Sequence, residues 1–515
     1  MKKAIQLRKG LCTLLGFFCL STFTSFPSQC FAQSGDEQEQ KKGVASKKQI
    51  SEYINNIYYA MEVLNQCYVD DLDMEQIYKG AMKGLLDAAG DVYTAYLDTT
   101  AMRGLNDTTE GTFGGVGLSI SKAFESTDEK PAYVEVVAPI EDTPGFKAGI
   151  QPGDLIVTVD GTDTSTITMD DVLDKLRGTI GENVTVGIRR GGADFDIVLT
   201  RAEIEVPTVK FGTIPLDSKT EIGYMRLIEF TPLTATKVQE ALDSFDYGKT
   251  KGIIIDLRNN PGGLISSVHA VADKFIDEGP IVSTKGRVKS ENNVYSASKA
   301  KTTFKAGIPI VVLINKGSAS ASEILSGALK DNHLAYLVGQ RTYGKGLVQQ
   351  VWQLSKTEGF KYTVARYYTP SDVCIDKIGI PPDREILFPE LSEEGAKQYA
   401  ELYKSGEISK YVESNRKSFE KNEEKQIKSF SKSLKKSYPE IDEPTLRKMI
   451  RNEVRKSKGS MLYDLDYDIQ LIEAIKILDK EDFSSLVKNA KTLKELQDSA
   501  LLEEKKEPEG KKDKK

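Results

Sequence analysis

The sequence predicts a multidomain protein of α/β and β structure, with helical segments on either side of a strand-rich middle. Three observations predict this organisation. Apolar residues keep helical spacing from residue 50 to about 105; short strands with a single helix follow at 111–203; strands and helices then alternate through 204–388. A chain of 515 residues is long enough for three or more domains of ordinary size.

The first 32 residues have the layout of a secretory signal peptide. Basic residues precede a largely apolar run at 11–23, and Cys30-Phe31-Ala32 supplies a small-residue cleavage site. We therefore expect an exported protein, periplasmic or peripherally associated with the cell membrane. An uncleaved N-terminal anchor is the alternative, and no later segment has the ~18 uninterrupted apolar residues of a membrane span.

Composition bounds the partners and the cofactors. A net charge of −6 gives no reason to expect nucleic acid. Three of the five cysteines lie in the leader, which leaves Cys67 and Cys374; whether these two form a disulfide stays open. There is no Cys/His cluster with zinc spacing, so neither a metal nor another cofactor is predicted.

The elements follow from the changes in periodicity. Polar residues at 33–47 predict a linker before the helical segment. In the β module, one helix is predicted, at 170–176. In the α/β layer we predict strands at 252–257, 308–314 and 334–338, with a helix starting near Ser320. From residue 389 the chain is rich in Lys and Glu and reads as helices ending in a Lys-rich tail.

Ser320 lies where a predicted strand gives way to a helix. Residues 320–323, Ser-Ala-Ser-Glu, also form a capping box, which is the commoner use of this pattern. A serine at such a turn has its hydroxyl near the positive end of a helix, where a developing oxyanion is stabilised. Spacing alone does not choose among Ser318, Ser320 and Ser322.

Lys345 is the candidate general base, since the chain has only two histidines, His269 and His333. A Ser-Lys dyad is a recognised variant of the nucleophile-plus-base arrangement. The lysine must be neutral to act, and lowering its pKa from about 10.4 to near 7 requires ~4–5 kcal/mol, which burial can supply. Gln349, on the predicted strand that follows, can hold the amine by a hydrogen bond. The bland alternatives are a surface lysine in a glycine-flanked turn and an exposed strand glutamine.

Two glycine-rich loops can present backbone N–H groups. The loop at 259–263, Asn-Asn-Pro-Gly-Gly, follows a buried strand and can aim one N–H at the site, although paired glycines after proline are usually plain loop signals. The run at 114–118 lacks the GxGxxG order of phosphate loops. It can instead offer successive N–H groups to a peptide carboxylate, or simply be a tight turn leading into a strand.

Taken together, these motifs resemble those of the carboxyl-terminal processing (tail-specific) proteases, exported serine peptidases with an embedded PDZ domain. The resemblance runs from about residue 50 to 388, and more faintly to 468–475. Each motif alone is weak, but all four in this order are highly specific. They are Gly114-Gly115-Val116-Gly117-Leu118, Asp256-Leu257-Arg258-Asn259-Asn260-Pro261-Gly262-Gly263, Ser318-Ala319-Ser320-Ala321-Ser322-Glu323 and Gly344-Lys345-Gly346-Leu347-Val348-Gln349.

The resemblance implies the roles of individual residues. It makes Ser320 the nucleophile, Lys345 the general base and Gln349 the residue that orients the lysine. The oxyanion hole maps onto the backbone N–H groups of Gly263 and Ala321. The family's peptide-binding loop corresponds to residues 114–118.

The resemblance also implies the architecture. It predicts a ClpP/crotonase-like α/β protease core at 204–388 and an inserted PDZ domain at 111–203. A signal peptide or anchor at 1–32 and a linker with the N-terminal helical segment at 33–110 come before them. A C-terminal helical segment with the Lys-rich tail occupies 389–515.

The implied function is that of an exported serine endopeptidase that recognises protein C-termini through its PDZ domain and cleaves by a Ser-Lys dyad. Expected partners are proteins or peptides with free, apolar C-termini; an adaptor protein and a homo-oligomer are further candidates. The main alternative is a catalytically inactive PDZ scaffold that binds peptides, against which the intact Ser320, Lys345 and Gln349 argue. An acyl-transfer enzyme on a related α/β fold would leave the PDZ-like module without a role.

Overall fold

The structure, a computed structural model, describes residues 45–122, 131–140, 142–151, 153–190, 193–205, 208–388, 391–455 and 461–504. The predicted signal peptide at 1–32, most of the predicted linker and the Lys-rich tail lie outside these residues. The chain divides into two compact units, residues 1–81 and 82–515. Across the described ranges, no helix combines the length and the apolar character needed to cross a membrane.

The described part of the N-terminal unit is helical. It contains helix α1 (Lys47–Cys67) and most of α2 (Met74–Asp87), which ends in the second unit. Ser46 begins α1 with a capping box: its hydroxyl accepts the Gln49 N–H at 3.3 Å, and its own N–H donates to Gln49 Oε1 at 2.9 Å. The apolar residues that gave α1 its helical spacing, among them Ile54 and Ile57, are exposed.

A β module at residues 112–205 has its own apolar core. A two-stranded ribbon joins its ends, and a six-stranded sheet in the order β3-β4-β5-β7-β8, with β6 on β5, forms its body. The ribbon is β2 (Thr112–Gly115) with β9 (Ala202–Glu205). The sheet strands are β3 (Leu118–Lys122), β4 (Val134–Pro139), β5 (Leu155–Val159), β6 (Thr162–Asp163), β7 (Asn183–Arg190) and β8 (Ala193–Thr200). Its helices are α4 (Pro144–Lys147) and α5 (Met169–Leu176).

Two elements come between α2 and the β module: strand β1 (Ala95–Leu97) and helix α3 (Thr99–Glu110). Ion pairs tie α3 to α5 and to Arg177, the residue that directly follows α5. The Arg177 guanidinium donates to both oxygens of Asp107 at 2.8 and 2.6 Å, and Arg103 pairs with Asp170 and Asp174. The sequence pattern predicts only helix here, because a strand of three residues is too short to show a period of two.

An α/β layer forms the centre of the second unit. Its six strands lie in the order β10-β11-β12-β15-β16-β19, parallel except for the first pair. They are β10 (Val209–Pro215), β11 (Glu221–Leu227), β12 (Thr250–Asp256), β15 (Ile310–Ile314), β16 (Ala335–Gly339) and β19 (Arg384–Glu385). The helices on one face are α6 (Thr234–Ser244), α7 (Ile265–Ala272) and α8 (Ala321–Asp331).

Strand β15 shows how the layer is filled. Every residue in it is buried, and alternate side chains serve opposite faces. Ile310, Val312 and Ile314 belong to the core beneath α6, α7 and α8. Val311 and Leu313 belong to a second core on the other face. Burial on both faces is why this strand reads as an unbroken apolar run rather than an alternating one.

A second, antiparallel sheet joins β1 to later strands. Its members are β13 (Pro280–Gly286), β14 (Asn293–Ser296), β17 (Leu347–Gln353) and β18 (Gly359–Tyr368). The long strand β18 pairs with β1, β13 and β17. It therefore lies between the chain around residue 95 and the strand that follows Lys345.

Helices make up the described C-terminal segment. Five of them share a separate apolar core: α9 (Glu393–Ser405), α10 (Glu407–Ser414), α11 (Arg416–Lys421), α12 (Glu423–Ser437) and α13 (Glu443–Arg455). The last three are α14 (Ile469–Lys480), α15 (Phe483–Asn489) and α16 (Leu493–Glu504). Leu471 and Leu478 of α14 pack against the second face of the central sheet.

Candidate active site

Ser320 occupies the tight turn between β15 and α8. Its backbone has φ 54° and ψ −114°, a conformation that residues with a side chain rarely adopt and that costs roughly 1–3 kcal/mol. Neighbouring contacts hold the turn: the Ala319 N–H donates to the Asn260 carbonyl at 3.0 Å, and the buried Tyr367 hydroxyl donates to the Ser320 carbonyl at 3.2 Å. Ser320 is half-buried, whereas the first residues of α8 are fully buried, so the turn leaves Ser320 partly accessible.

The two neighbouring serines are engaged inside the fold. The Ser318 hydroxyl donates to the Leu257 carbonyl at 2.8 Å, and the Ser322 hydroxyl donates to the Asn260 carbonyl at 3.0 Å. Both side chains are completely buried. The structure thus separates the three serines that spacing left open, since only Ser320 has partial access to solvent.

The buried carboxylate of Glu323 joins the two halves of the site. Its Oε2 accepts the backbone N–H of Ser320 and that of Lys345, each at 2.9 Å. Its Oε1 accepts the Gly344 N–H at 2.7 Å and the Thr342 hydroxyl at 2.5 Å. Because one oxygen binds both N–H groups, the backbone nitrogens of Ser320 and Lys345 lie less than twice 2.9 Å apart.

The sequence pattern predicts Glu323 only as half of a capping box. The structure contains that half, the Ser320 N–H bonded to the Glu323 carboxylate, and adds three donors from the loop of Lys345. Burial raises the pKa of Glu323, and the hydrogen bonds from Thr342, Gly344, Lys345 and Ser320 act in the opposite direction. A glutamate at N3 that is entirely buried is unusual, and only its burial would have revealed this role.

Lys345 lies in a partly desolvated pocket. Burial lowers the pKa of its ammonium, the positive charge of Lys361 lowers it further, and Glu323 and Asp91 oppose these effects. Its Nζ lies 5.0 Å from the centroid of the Tyr93 ring. The direction of the shift is the one that a lysine acting as a base requires.

Gln349 follows Lys345 on strand β17 and lies opposite Thr363 of β18. Its amide Nε2 donates to Thr363 Oγ1 at 3.4 Å, and Thr363 Oγ1 donates in turn to Asp91 Oδ2 at 2.5 Å. The described hydrogen bond of the Gln349 side chain is therefore to a threonine, whereas the sequence analysis expected one to the lysine. The role of Gln349 toward Lys345 stays a prediction.

The loop at 259–263 packs directly against the turn of Ser320. A Cβ added to Gly262 would lie 2.8 Å from Ser320 Cβ and 2.9 Å from the Ala321 nitrogen. Gly263 has φ 139°, and a Cβ there would lie 2.3 Å from the Phe230 carbonyl oxygen. The loop pairs with Phe230 through two hydrogen bonds: the Phe230 N–H donates to the Gly262 carbonyl, and the Leu264 N–H donates to the Phe230 carbonyl. The Gly263 N–H takes no part in this pairing. Both glycines are needed for the loop to approach this closely.

An ion-pair network supports this loop from the other side. Arg258 donates to both oxygens of Asp256 and, at 2.7 and 2.6 Å, to both oxygens of Asp468 at the start of α14. Gln470 accepts from Arg258 at 3.2 Å and donates to the Ile386 carbonyl at 2.8 Å. The faint C-terminal motif at 468–475 therefore anchors the residue that immediately precedes the loop.

The run at 114–118 makes the tight connection between β2 and β3. Gly117 has φ 72°, and a Cβ there would lie 2.2 Å from Thr143 Cβ; a Cβ on Gly114 would lie 2.4 Å from the Gly178 carbonyl oxygen. The carbonyl of buried Val116 accepts the N–H of Gly145 at 2.8 Å. The run is thus fixed to the β module, and glycine is required at both ends of it.

Among the described residues, no group of three or more His, Cys, Asp or Glu side chains is arranged to hold a metal ion. The two described cysteines, Cys67 and Cys374, are free thiols.

Three family models match the chain. Peptidase family S41 matches residues 221–386, a PDZ domain matches 135–190, and the N-terminal domain of the activating protease CtpB matches 16–101. The first covers five of the six strands of the α/β layer together with Ser320 and Lys345, and the second covers most of the β module. The predicted fold class, an α/β protease core with an inserted PDZ domain and helical end segments, is confirmed.

Curated relatives are similar over most of their length. A carboxy-terminal-processing protease of Bartonella bacilliformis is 36% identical over 376 residues, which are 71% of this chain and 81% of that protein. A carboxyl-terminal-processing protease of Synechocystis sp. is 36% identical over 314 residues, 61% of this chain and 71% of that protein. Among solved structures, a photosystem II D1 C-terminal processing protease is 31% identical with a TM-score of 0.37, covering 66% of this chain and 94% of that one. The chain therefore belongs to peptidase family S41 and is a serine peptidase of the carboxyl-terminal processing type.

Proposed function

We propose that this protein is an exported serine endopeptidase in which Ser320 and Lys345 form the catalytic dyad. The observation that carries the proposal is the shared Glu323 oxygen, which holds the backbones of Ser320 and Lys345 together. The lowered pKa of Lys345 supports it. A serine in a strained turn and a desolvated lysine beside it are what nucleophilic catalysis without histidine requires.

The proposed reaction is acyl transfer through a covalent intermediate. The neutral amine of Lys345 takes the proton of the Ser320 hydroxyl as Oγ attacks the peptide carbonyl carbon. Backbone N–H groups of Gly263 and Ala321 stabilise the oxyanion, and Lys345 then gives its proton to the leaving amine. Water, deprotonated by the same lysine, hydrolyses the ester and frees Ser320.

The PDZ domain would select the substrate. A protease with a PDZ domain acts on peptides or proteins, and here the run at 114–118 would receive the terminal carboxylate while β3 pairs with the extended peptide. Support comes from the bound carbonyls of Val116 and Gly117, which accept the N–H groups of Gly145 and Ile140. Because these two carbonyls are bound within the domain, the backbone N–H groups of the loop, rather than its carbonyls, would face the terminal carboxylate of the peptide. Amidating the C-terminus of a test peptide should weaken its binding, and unchanged binding would remove the carboxylate pocket from the proposal.

The dyad is tested by single substitutions assayed with a peptide that binds the PDZ domain. Ser320→Ala and Lys345→Ala should each abolish cleavage without altering the thermal unfolding profile. Ser326→Ala is a matched control, because that hydroxyl donates to the Ser322 carbonyl within α8, one and a half turns from the site. Cleavage by purified Ser320→Ala protein at the rate of the unmodified enzyme would remove the assignment.

Export is proposed from the leader sequence alone. Cell fractionation of the full-length protein, followed by N-terminal sequencing, should find it outside the cytoplasm with residues 1–32 removed. An intact N-terminus in the membrane fraction would favour the anchor, and an intact chain in the cytoplasm would overturn export.

A further inference from the structure

The turn at residues 91–94 borders the lysine pocket, and its hydrogen bonds converge on Asp91. The Asp91 carboxylate accepts the Tyr93 N–H at 3.1 Å and the hydroxyl of Thr94 at 2.8 Å. It also accepts the hydroxyl of Thr363, from 272 residues later in the chain, at 2.5 Å. The ring of Tyr93 from this same turn is the one beside Lys345 Nζ. Asp91 therefore fixes one wall of the pocket to strand β18.

Thr363, on strand β18, contacts both this turn and Gln349 on the neighbouring strand β17. Its N–H donates to Thr94 Oγ1 at 3.3 Å, and it lies directly across from Gln349 in the β17–β18 pair. The register of that pair shifts between Val348 and Gln349. Irregularities of this kind re-aim a side chain, and they are over-represented next to active sites.

The chemistry of the three groups fixes the direction of each hydrogen bond. An ionised carboxylate only accepts, so the single hydroxyl proton of Thr363 goes to Asp91. The Thr363 oxygen can then only accept from Gln349, which must present its NH2 group to it. This leaves the carbonyl oxygen of the amide, Gln349 Oε1, turned away from Thr363.

We propose that Asp91 and Thr363 are positioning residues that set the orientation of the Gln349 amide, so that Gln349 Oε1 accepts an N–H of Lys345. The opposite orientation would present NH2 to an amine whose own N–H groups are donors. When Oε1 accepts one N–H of the neutral lysine, the lone pair of Nζ is aimed elsewhere, toward the Ser320 hydroxyl. This inference rests on the proposed Ser-Lys dyad and adds the chain of contacts that orients its base.

The decisive variant is Thr363→Val, which removes the hydroxyl and keeps a β-branched side chain suited to a strand. We expect kcat to fall by about 10²-fold with KM nearly unchanged, because a small misplacement of a catalytic group has an effect of that order. Thr363→Ser should restore most of the rate. The matched control is Tyr362→Phe, which removes the neighbouring hydroxyl that donates to Gln350 Oε1 at 3.2 Å, and it should leave kcat unchanged.

A double-mutant cycle separates orientation of the amide from a general structural effect. If Thr363 acts through Gln349, the variant carrying Gln349→Ala and Thr363→Val should lose no more activity than Gln349→Ala alone. Losses that multiply, or a Thr363→Val enzyme with unchanged kcat, would overturn the inference. If Thr363→Val does not fold, Asp91→Asn replaces it. The side-chain amide introduced by Asp91→Asn can donate to the Thr363 oxygen, which would reverse the direction of the Thr363 hydrogen bond and with it the orientation of the Gln349 amide. Unchanged kcat in Asp91→Asn would count equally against the inference.

Ser320→Ala and Lys345→Ala in the same assay keep the two proposals apart. Activity retained in either one would end the proposed dyad. Loss of activity in both, together with unaffected Thr363→Val, would end only the orientation of Gln349 by Asp91 and Thr363.

Discussion

Ser320 and Lys345 donate their backbone N–H groups to a single oxygen, Oε2 of Glu323, although they are 25 positions apart in the sequence. Ser320 and Lys345 make these contacts through their backbone N–H groups, so the contacts do not depend on the rotamers of the Ser320 and Lys345 side chains. One buried carboxylate therefore binds both the start of α8 and the turn before β17. The separation of the Ser320 and Lys345 backbones is thereby set by a side chain that has no part in the proposed chemistry.

Glu323→Gln tests this coupling. Four donors converge on the carboxylate, and an amide must turn its NH2 toward two of them, which leaves buried donors without an acceptor. We expect the free energy of unfolding to fall by about 1–3 kcal/mol and kcat to fall by about 10²-fold. Denaturant unfolding and steady-state kinetics measure the two effects. A stable Glu323→Gln enzyme with full activity would show that the shared oxygen is dispensable.

Backbone strain at Ser320 predicts an unusual order of stabilities. Ser320→Gly and Ser320→Ala both lack the hydroxyl, but only glycine adopts φ 54°, ψ −114° without strain. We expect the glycine variant to be more stable than the alanine variant by about 1 kcal/mol. The same pair at Ser326, inside α8, should show the reverse order, because glycine in a helix interior is less stable than alanine by about 1 kcal/mol. Equal stabilities at position 320 would mean that the turn relaxes freely.

The sequence was sufficient for the elements whose pattern is local. The helix at 169–176, the buried runs of β12, β15 and β16, and the turn before α8 all follow from periodicity and from glycine or serine at the boundaries. Resemblance to a family added the expected roles of Ser320, Lys345 and Gln349, which spacing left open and which stay predictions. Strand β1 escaped prediction because its three residues obtain their hydrogen bonds from β18, far along the chain.

What the sequence could not provide is the set of long-range contacts that makes these residues a site. Glu323 looks like an ordinary capping residue until its burial and the donors from the Lys345 loop are known. Asp91 and Thr363 carry no catalytic motif. They meet because β1 pairs with β18, and Gln349 reaches Thr363 because β17 also pairs with β18. Pairing of distant strands is decided by the whole fold, so no local pattern encodes it.

Gly263→Ala should damage the proposed oxyanion loop. The added methyl group would lie 2.3 Å from the Phe230 carbonyl oxygen, so the loop must move, and the Gly263 N–H moves with it. Loss of one such donor typically costs about 2.7–4 kcal/mol of transition-state stabilisation, or 10²–10³-fold in kcat. Gly279→Ala is the control, because Gly279 also has positive φ, 92°, but has open space around it. It should lower stability without changing kcat, and a Gly263→Ala enzyme with unchanged kcat would exclude this N–H from catalysis.

The pH dependence of cleavage should depend on a second lysine, Lys361. The proposed mechanism requires the neutral form of Lys345. We therefore expect kcat/KM to rise with pH through the pKa of Lys345, which burial and then the charge of Lys361 hold below its ordinary value. The charges of Glu323 and Asp91 act in the opposite direction. Lys361→Gln removes a positive charge that disfavours the ammonium, so the pKa of Lys345 should rise and the acidic limb of the profile should move to higher pH. Lys356→Gln, at the exposed end of the β17–β18 hairpin, makes the same charge change and should leave the limb in place. If both variants gave the unmodified profile, Lys345 would not be the group whose deprotonation limits the reaction.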